Sequence, residues 1–223
     1  MILHILYKVI PYLDIAAPLA ALLFACYRKE RKLGEHFYIL VYLCTQLALN
    51  TWGKLIMLLV KPNPNNLFLY QINSFASFVI ISLYYFAKWK PYLDKKRLYI
   101  LYTYFLIFIL LILAIIWQED PEAYNSRSAS LVSLLICIYT SMYYYSKLNN
   151  PEIENITATR SFWFTTGFFL YYGGSFFIVS SYKLLSQVNN SKFSMLWLVH
   201  NIIFAMMCIL FSIGFRCKRS QQI

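Results

Sequence analysis

The chain has 223 residues, of which 60% are hydrophobic and only 13% charged, with a mean hydropathy of +0.55. A soluble domain averages about 45–50% apolar and about 25% charged residues, so a water-soluble globular core is excluded as the organising plan. The net charge of +11 would suit nucleic acid on charge alone. The basic residues, however, cluster at the ends of apolar runs, where anionic lipid is the natural counter-charge.

Seven apolar runs are each long enough to cross a bilayer, which takes about 18 or more residues. They cover roughly 9–27, 37–60, 68–87, 98–117, 128–147, 161–184 and 195–215. In lipid each run must satisfy its own backbone, so each is predicted to be a helix. The expectation is one all-α domain over 1–223, a seven-transmembrane-helix bundle with no separate soluble domain.

The first run carries Pro11, Asp14 and Pro18 and is followed by Arg28, Lys29, Arg31 and Lys32. A signal peptide places its positive charge first, so this run is read as a retained helix, with Pro18 a point of kinking. The second run holds Gln46, Asn50 and Lys54 at i, i+4 and i+8, on one slowly drifting helix face. Gln71 and Asn73 start the third run, and Lys88, Lys90, Lys95, Lys96 and Arg97 follow it. The acidic stretch Glu119-Asp120-Pro121-Glu122 separates the fourth and fifth runs. The sixth run brings Tyr171, Tyr172 and Ser175 to mid-depth, with Gly173-Gly174 allowing close helix approach. The seventh contains Trp197, His200 and Asn201. Pro62, Pro64, Pro91, Pro121 and Pro151 all fall in connections, where helix breakers belong.

Orientation follows from Lys and Arg. One set of helix ends carries Arg28 to Lys32, Lys88 to Arg97, Lys147, Arg160, Arg216, Lys218 and Arg219. The other set carries only Lys8, Lys61, Arg127, Lys183 and Lys192. The richer side is expected in the cytoplasm, which puts the N-terminus outside and the C-terminus inside. The expected location is therefore a cell inner (plasma) membrane, crossed several times. The 20 tyrosines, 18 phenylalanines and 5 tryptophans are read mainly as interfacial belts and packing.

Ionisable groups within a span are costly and commonly functional. Asp14, Asn50, Lys54, Gln71, Asn73, Tyr171, His200 and Asn201 all fall in the half of the bundle assigned to the outside. They are the candidate ligand-binding residues of a polar cavity, with Asp14 and Lys54 as charge partners. The competing expectation is a polar network that joins helices and binds nothing.

Other chemistries find little support. His4, His36 and His200 lie far apart, no HExxH occurs, and no GxSxG or phosphate-binding glycine loop is present. No metal or cofactor is expected. Cys26, Cys44, Cys137, Cys208 and Cys217 include no CxxC pair and no disulfide framework, and are read as buried thiols plus a reduced Cys217. The sequon matches at Asn155 and Asn189 are of a kind common by chance. A retinal-binding lysine in the seventh helix is missing, since 195–215 contains no Lys.

The segment from Ser161 through Trp163, Gly167, Tyr171 and Gly174 to Phe177, and the segment from Leu196 through Trp197, His200 and Asn201 to Gly214 and Phe215, resemble the last two helices of seven-helix sensor regions that precede some bacterial histidine kinases. Because the chain stops soon after its seventh helix, the resemblance implies a stand-alone receptor-like module. It would signal through a cytoplasmic protein such as a histidine kinase, with Lys88 to Arg97 and Arg216 to Ile223 as contact surfaces. An enzyme is the less favoured expectation. The alternatives are an intramembrane lipid-modifying enzyme using Asp14 or His200, and a small-solute or ion carrier.

Overall fold

The computed structural model describes residues 9–27, 36–60, 65–119, 126–149, 156–188 and 190–217, without the side chains of 182–194. Several of the expectations above fall on other residues. These are His4, Lys8, the basic run 28–32, Lys61, Pro62, Pro64, the stretch 120–122, Pro151, Asn155, Asn189, Lys218 and Arg219; they lie outside the described residues, as do the side chains of Lys183 and Lys192.

Seven helices are long and apolar enough to cross a membrane. They are α1 Leu13–Tyr27, whose span of Ile10–Tyr27 includes the 3-10 turn before it, α2 His36–Leu59, α3 Leu67–Trp89, α4 Lys95–Gln118, α5 Ser126–Asn149, α6 Arg160–Val188 and α7 Asn190–Arg216. Short 3-10 turns at Ile10–Tyr12 and Lys90–Tyr92 lead into α1 and out of α3. Among the described residues the chain is all-helical. The connection expected over 185–194 is almost wholly helical, because that stretch holds no Pro or Gly to stop α6 or delay α7.

The starts of α4 and α5 are capped by side chains from the connections before them. The Asp94 carboxylate accepts the Arg97 N–H at 2.9 Å and starts α4. Glu119 accepts the N–H groups of Arg127 and Ser128 at 2.9 and 3.2 Å, and the Ser128 hydroxyl at 2.6 Å, so it caps α5 from the preceding connection. Each contact satisfies donors that the first helical turn leaves open.

Lipid is as apolar as leucine, so helix association depends on close packing and interhelical hydrogen bonds. The packing here is aromatic: Tyr42, Phe78, Tyr84, Tyr85, Phe164, Phe168 and Phe211 are fully buried. α6 and α7 interlock through glycines set against rings. A Cβ on Gly167 would lie 2.7 Å from the Phe211 ring, and one on Gly214 would lie 2.6 Å from the Phe164 ring. On the other side, α4 packs mainly on α3 and α5; Ile112 is its one buried residue.

The bundle has two ends, an N-side where α1 starts and a C-side where α7 stops. On the C-side Arg160 ties three helices together. Its Nε donates to the Cys217 carbonyl at 2.6 Å, and its Nη1 lies 3.4 Å from His36 Nδ1. Lys88 donates to the Ser161 hydroxyl and sits 5.1 Å from the Tyr143 ring. The thiols divide differently from the expectation of burial: Cys208 is buried, whereas Cys26 and Cys44 face outward from α1 and α2. A thiol is small and apolar enough to face lipid at little cost, so burial was never required of it.

Candidate functional site: a polar cavity on the N-side

The site begins with a proline. Pro18 lies inside α1 and has no N–H, so the carbonyl four residues earlier, that of Asp14, loses its helical partner. In a bilayer an unpaired carbonyl is expensive. Asn50 of α2 donates its amide to that carbonyl at 2.9 Å. One turn further along α2, Lys54 Nζ donates to the Pro11 carbonyl at 2.8 Å and stands 3.6 Å from Asp14 Oδ2. The polar face of α2 thus docks on the irregular start of α1.

The same face continues towards α3. The Gln46 amide donates to Asn73 Oδ1 at 2.7 Å, and Asn73 Nδ2 donates back to Gln46 Oε1 at 3.1 Å. Gln46 Nε2 also reaches the Ser77 hydroxyl at 3.0 Å. Across the bundle His200 of α7 is fixed on three sides. Its Nε2 lies 3.2 Å from the Tyr171 hydroxyl and its Nδ1 3.3 Å from the Ser175 hydroxyl, while its ring stacks on Trp197 at 5.0 Å. Tyr70 meets Trp197 edge-on at 5.4 Å.

These walls enclose two contiguous chambers. The wider one, of about 250 Å³, is lined by Leu49, Gly53, Lys54, Met57, Asn66 and Leu69. The deeper one, of about 70 Å³, is lined by Gln46, Ser77, Ser133, Tyr171, Tyr172, Ser175, His200 and Asn201 among others. Asp14, Asn50, Tyr70, Asn73 and Trp197 line both, so the two form one passage. Beneath it the Tyr172 and Tyr42 hydroxyls pair at 3.2 Å, and the rings of Tyr42, Phe168 and Phe211 pack on one another.

Of the residues singled out from sequence, Asp14, Asn50, Lys54, Asn73, Tyr171, His200 and Asn201 all line this passage. Gln71 is half-buried on α3 and lines neither chamber. Several wall residues had no place in the sequence reading: Tyr70, Ser74 and Ser77 of α3, Ser133 of α5, Asn66 before α3, and Trp197 as a wall rather than a belt residue. Helical spacing carries a signal for some of them. Tyr70, Asn73, Ser74 and Ser77 fall at i, i+3, i+4 and i+7 on one face, as do Trp197, His200, Asn201 and Phe204.

Chemically, the wide chamber presents one ammonium, one carboxylate, several amides and an aromatic edge. The Ser175–His200 contact resembles a nucleophile and base, but the other histidine nitrogen meets a tyrosine hydroxyl, where a hydrolase triad has a carboxylate. Among the described residues no group of three His, Cys, Asp or Glu side chains could hold a metal ion. No protein-family model, curated protein or solved structure matches this chain.

Proposed function

We propose that this chain is a receptor-like module of a bacterial inner membrane that binds a small ligand in the polar passage and signals through a cytoplasmic protein. The N-side then faces outward and the C-side faces the cytoplasm, as the Lys and Arg distribution implies. The observation that carries the proposal is the convergence of polar side chains from α1, α2, α3, α5, α6 and α7 on one passage. A ligand in the wide chamber would touch the α1–α2 pair through Asp14 and Lys54 and α7 through Trp197, whose ring stacks on His200, the residue bonded to Tyr171 and Ser175 of α6. It could therefore bias the packing of one pair against the other, by its difference in affinity for the two packings. The packed aromatic layer of Tyr42, Phe168 and Phe211 below the deep chamber supports the receptor reading over a carrier.

The resemblance of α6 and α7 to kinase-linked sensor regions suggests a histidine kinase or a related regulator as partner. The basic segment Lys88 to Arg97 is its contact surface; the tail beyond Cys217 lies outside the described residues. Gly174 is the expected coupling point, because a Cβ there would lie 2.8 Å from Ile203 of α7. Gly174→Leu is expected to leave the protein inserted while uncoupling the partner's response from ligand. A normal response from that variant removes Gly174 from the coupling. The test of the function itself is mild crosslinking in native membranes, affinity purification and mass spectrometry. Recovery of a kinase or regulator supports the proposal. Recovery of the protein alone with turned-over lipid or bound solute overturns it in favour of an enzyme or carrier.

A further inference from the structure

We infer that the wide chamber takes a small zwitterion of amino-acid size, its carboxylate on Lys54 and its ammonium on Asp14; this rests on the ligand-binding reading above and names the class of ligand. The two charges are neighbours but not a closed pair. Lys54 Nζ and Asp14 Oδ2 are 3.6 Å apart, longer than a charge-assisted hydrogen bond. The short contact of Lys54 is with the Pro11 carbonyl at 2.8 Å, which holds the ammonium in place while leaving it further donors.

Both groups can be reached from the chamber. Their side chains are 35% and 21% exposed, and Asp14 Oδ1 is buried with no hydrogen-bond partner of its own among the described residues. Charge balance then selects the ligand. A simple anion on Lys54 would leave the Asp14 carboxylate without its counter-charge at a site within the span, and a simple cation on Asp14 would do the same to Lys54. An uncompensated charge within a membrane span is costly. A zwitterion inserted between the two compensates both. Size agrees: a cavity of about 150 Å³ holds a six-carbon ring, so 250 Å³ fits a small molecule and falls short of the usual range for drug-sized ligands. Leu49, Met57, Leu69 and Trp197 supply apolar wall for a short side chain.

The test uses the full-length wild-type protein in lipid nanodiscs, screened by thermal shift and equilibrium dialysis. The panel contains the common L-amino acids, N-methylated amino acids, and uncharged saccharides and polyols. The best amino acid is then compared with its own amide, which keeps only the positive charge, and its N-acetyl form, which keeps only the negative. The expected result is a saturable shift with an amino acid or an N-methylated one, and at least tenfold weaker binding of both single-charge analogues. Lys54→Met should weaken the zwitterion at least tenfold while affecting the amide less, and Asp14→Asn should do the reverse with the N-acetyl form. The analogue comparison needs no variant to fold. An amide or N-acetyl form that binds as well as its parent overturns the inference, as does a panel without any amino-acid binder. A saccharide or polyol whose binding is lost in Trp197→Ala overturns the zwitterion but leaves the ligand-binding function standing. That function falls separately, by the crosslinking experiment above.

Discussion

Replacing Asn50 should matter through the proline opposite it. Asn50→Leu removes the side-chain hydrogen bond to the Asp14 carbonyl, the group whose i+4 donor Pro18 lacks. Interhelical side-chain hydrogen bonds in membranes average about 0.6 and reach about 1.7 kcal/mol. This one satisfies a backbone carbonyl with no helical donor, so a loss near the upper value, about 1.5 kcal/mol, is expected. In a Pro18→Ala background the restored Ala N–H can take the Asp14 carbonyl itself. There Asn50→Leu should cost only about 0.5 kcal/mol, leaving a coupling of about 1 kcal/mol between positions 18 and 50. The assay is reversible unfolding in mixed micelles for wild type, both single variants and the double variant. If Asn50→Leu costs the same in both backgrounds, to within about 0.3 kcal/mol, the proline is not the reason for the asparagine.

Two further outcomes follow from the same walls. Gly167→Ala places a Cβ 2.7 Å from the Phe211 ring and should cost about 1–3 kcal/mol, as overpacking does. Gly173→Ala meets only the Cys137 sulfur at 3.8 Å and should be neutral or stabilising, given the poor helix propensity of glycine; equal destabilisation of the two variants would refute the α6–α7 packing. Gln46→Leu breaks the reciprocal amide pair with Asn73 and the bond to Ser77, so a loss of about 1–2 kcal/mol is expected in the micelle assay. Gln46→Leu combined with Asn73→Leu should cost less than the sum of the two single changes, because no half-satisfied amide is left behind.

The helices and the polar residues along them were legible because the bilayer imposes a strict rule. A run of apolar residues must be helical to satisfy its backbone, and a Gln46, Asn50 or Lys54 within such a run must turn inward or find a partner. The spacing of those three along α2 therefore foretold their shared wall. The pairing of Asp14 with Lys54 was also foreseeable, as two opposite charges at matching depth. The Trp197 wall was not, because a tryptophan near a span end reads equally well as an interfacial belt residue; Trp52 and Trp117 are exposed, whereas Trp197 lines the passage. Ser133 was equally hidden, since a serine returning its proton to the Ala129 carbonyl of its own helix can face any direction. Gln71 and Asn73, two residues apart on α3, show the limit. A helix turns by about 200° over two residues, so only one of them could face the passage, and composition could not say which.

The chain by itself determined seven spans, the placement of charges at their ends, and the presence of polar groups that hydrocarbon would not tolerate. Each of these follows from local transfer cost, which each residue incurs wherever the other helices lie. Tertiary structure alone decided that α1, α2, α3, α5, α6 and α7 bring those groups to one passage, that α4 stands aside, and that Gly167, Gly174 and Gly214, but not Gly173, set the close helix contacts. Those outcomes depend on how helices rotate and pair, which is governed by ring-against-glycine fits and side-chain hydrogen bonds between residues more than a hundred positions apart, such as Tyr42 with Tyr172. No periodicity within a single helix encodes them.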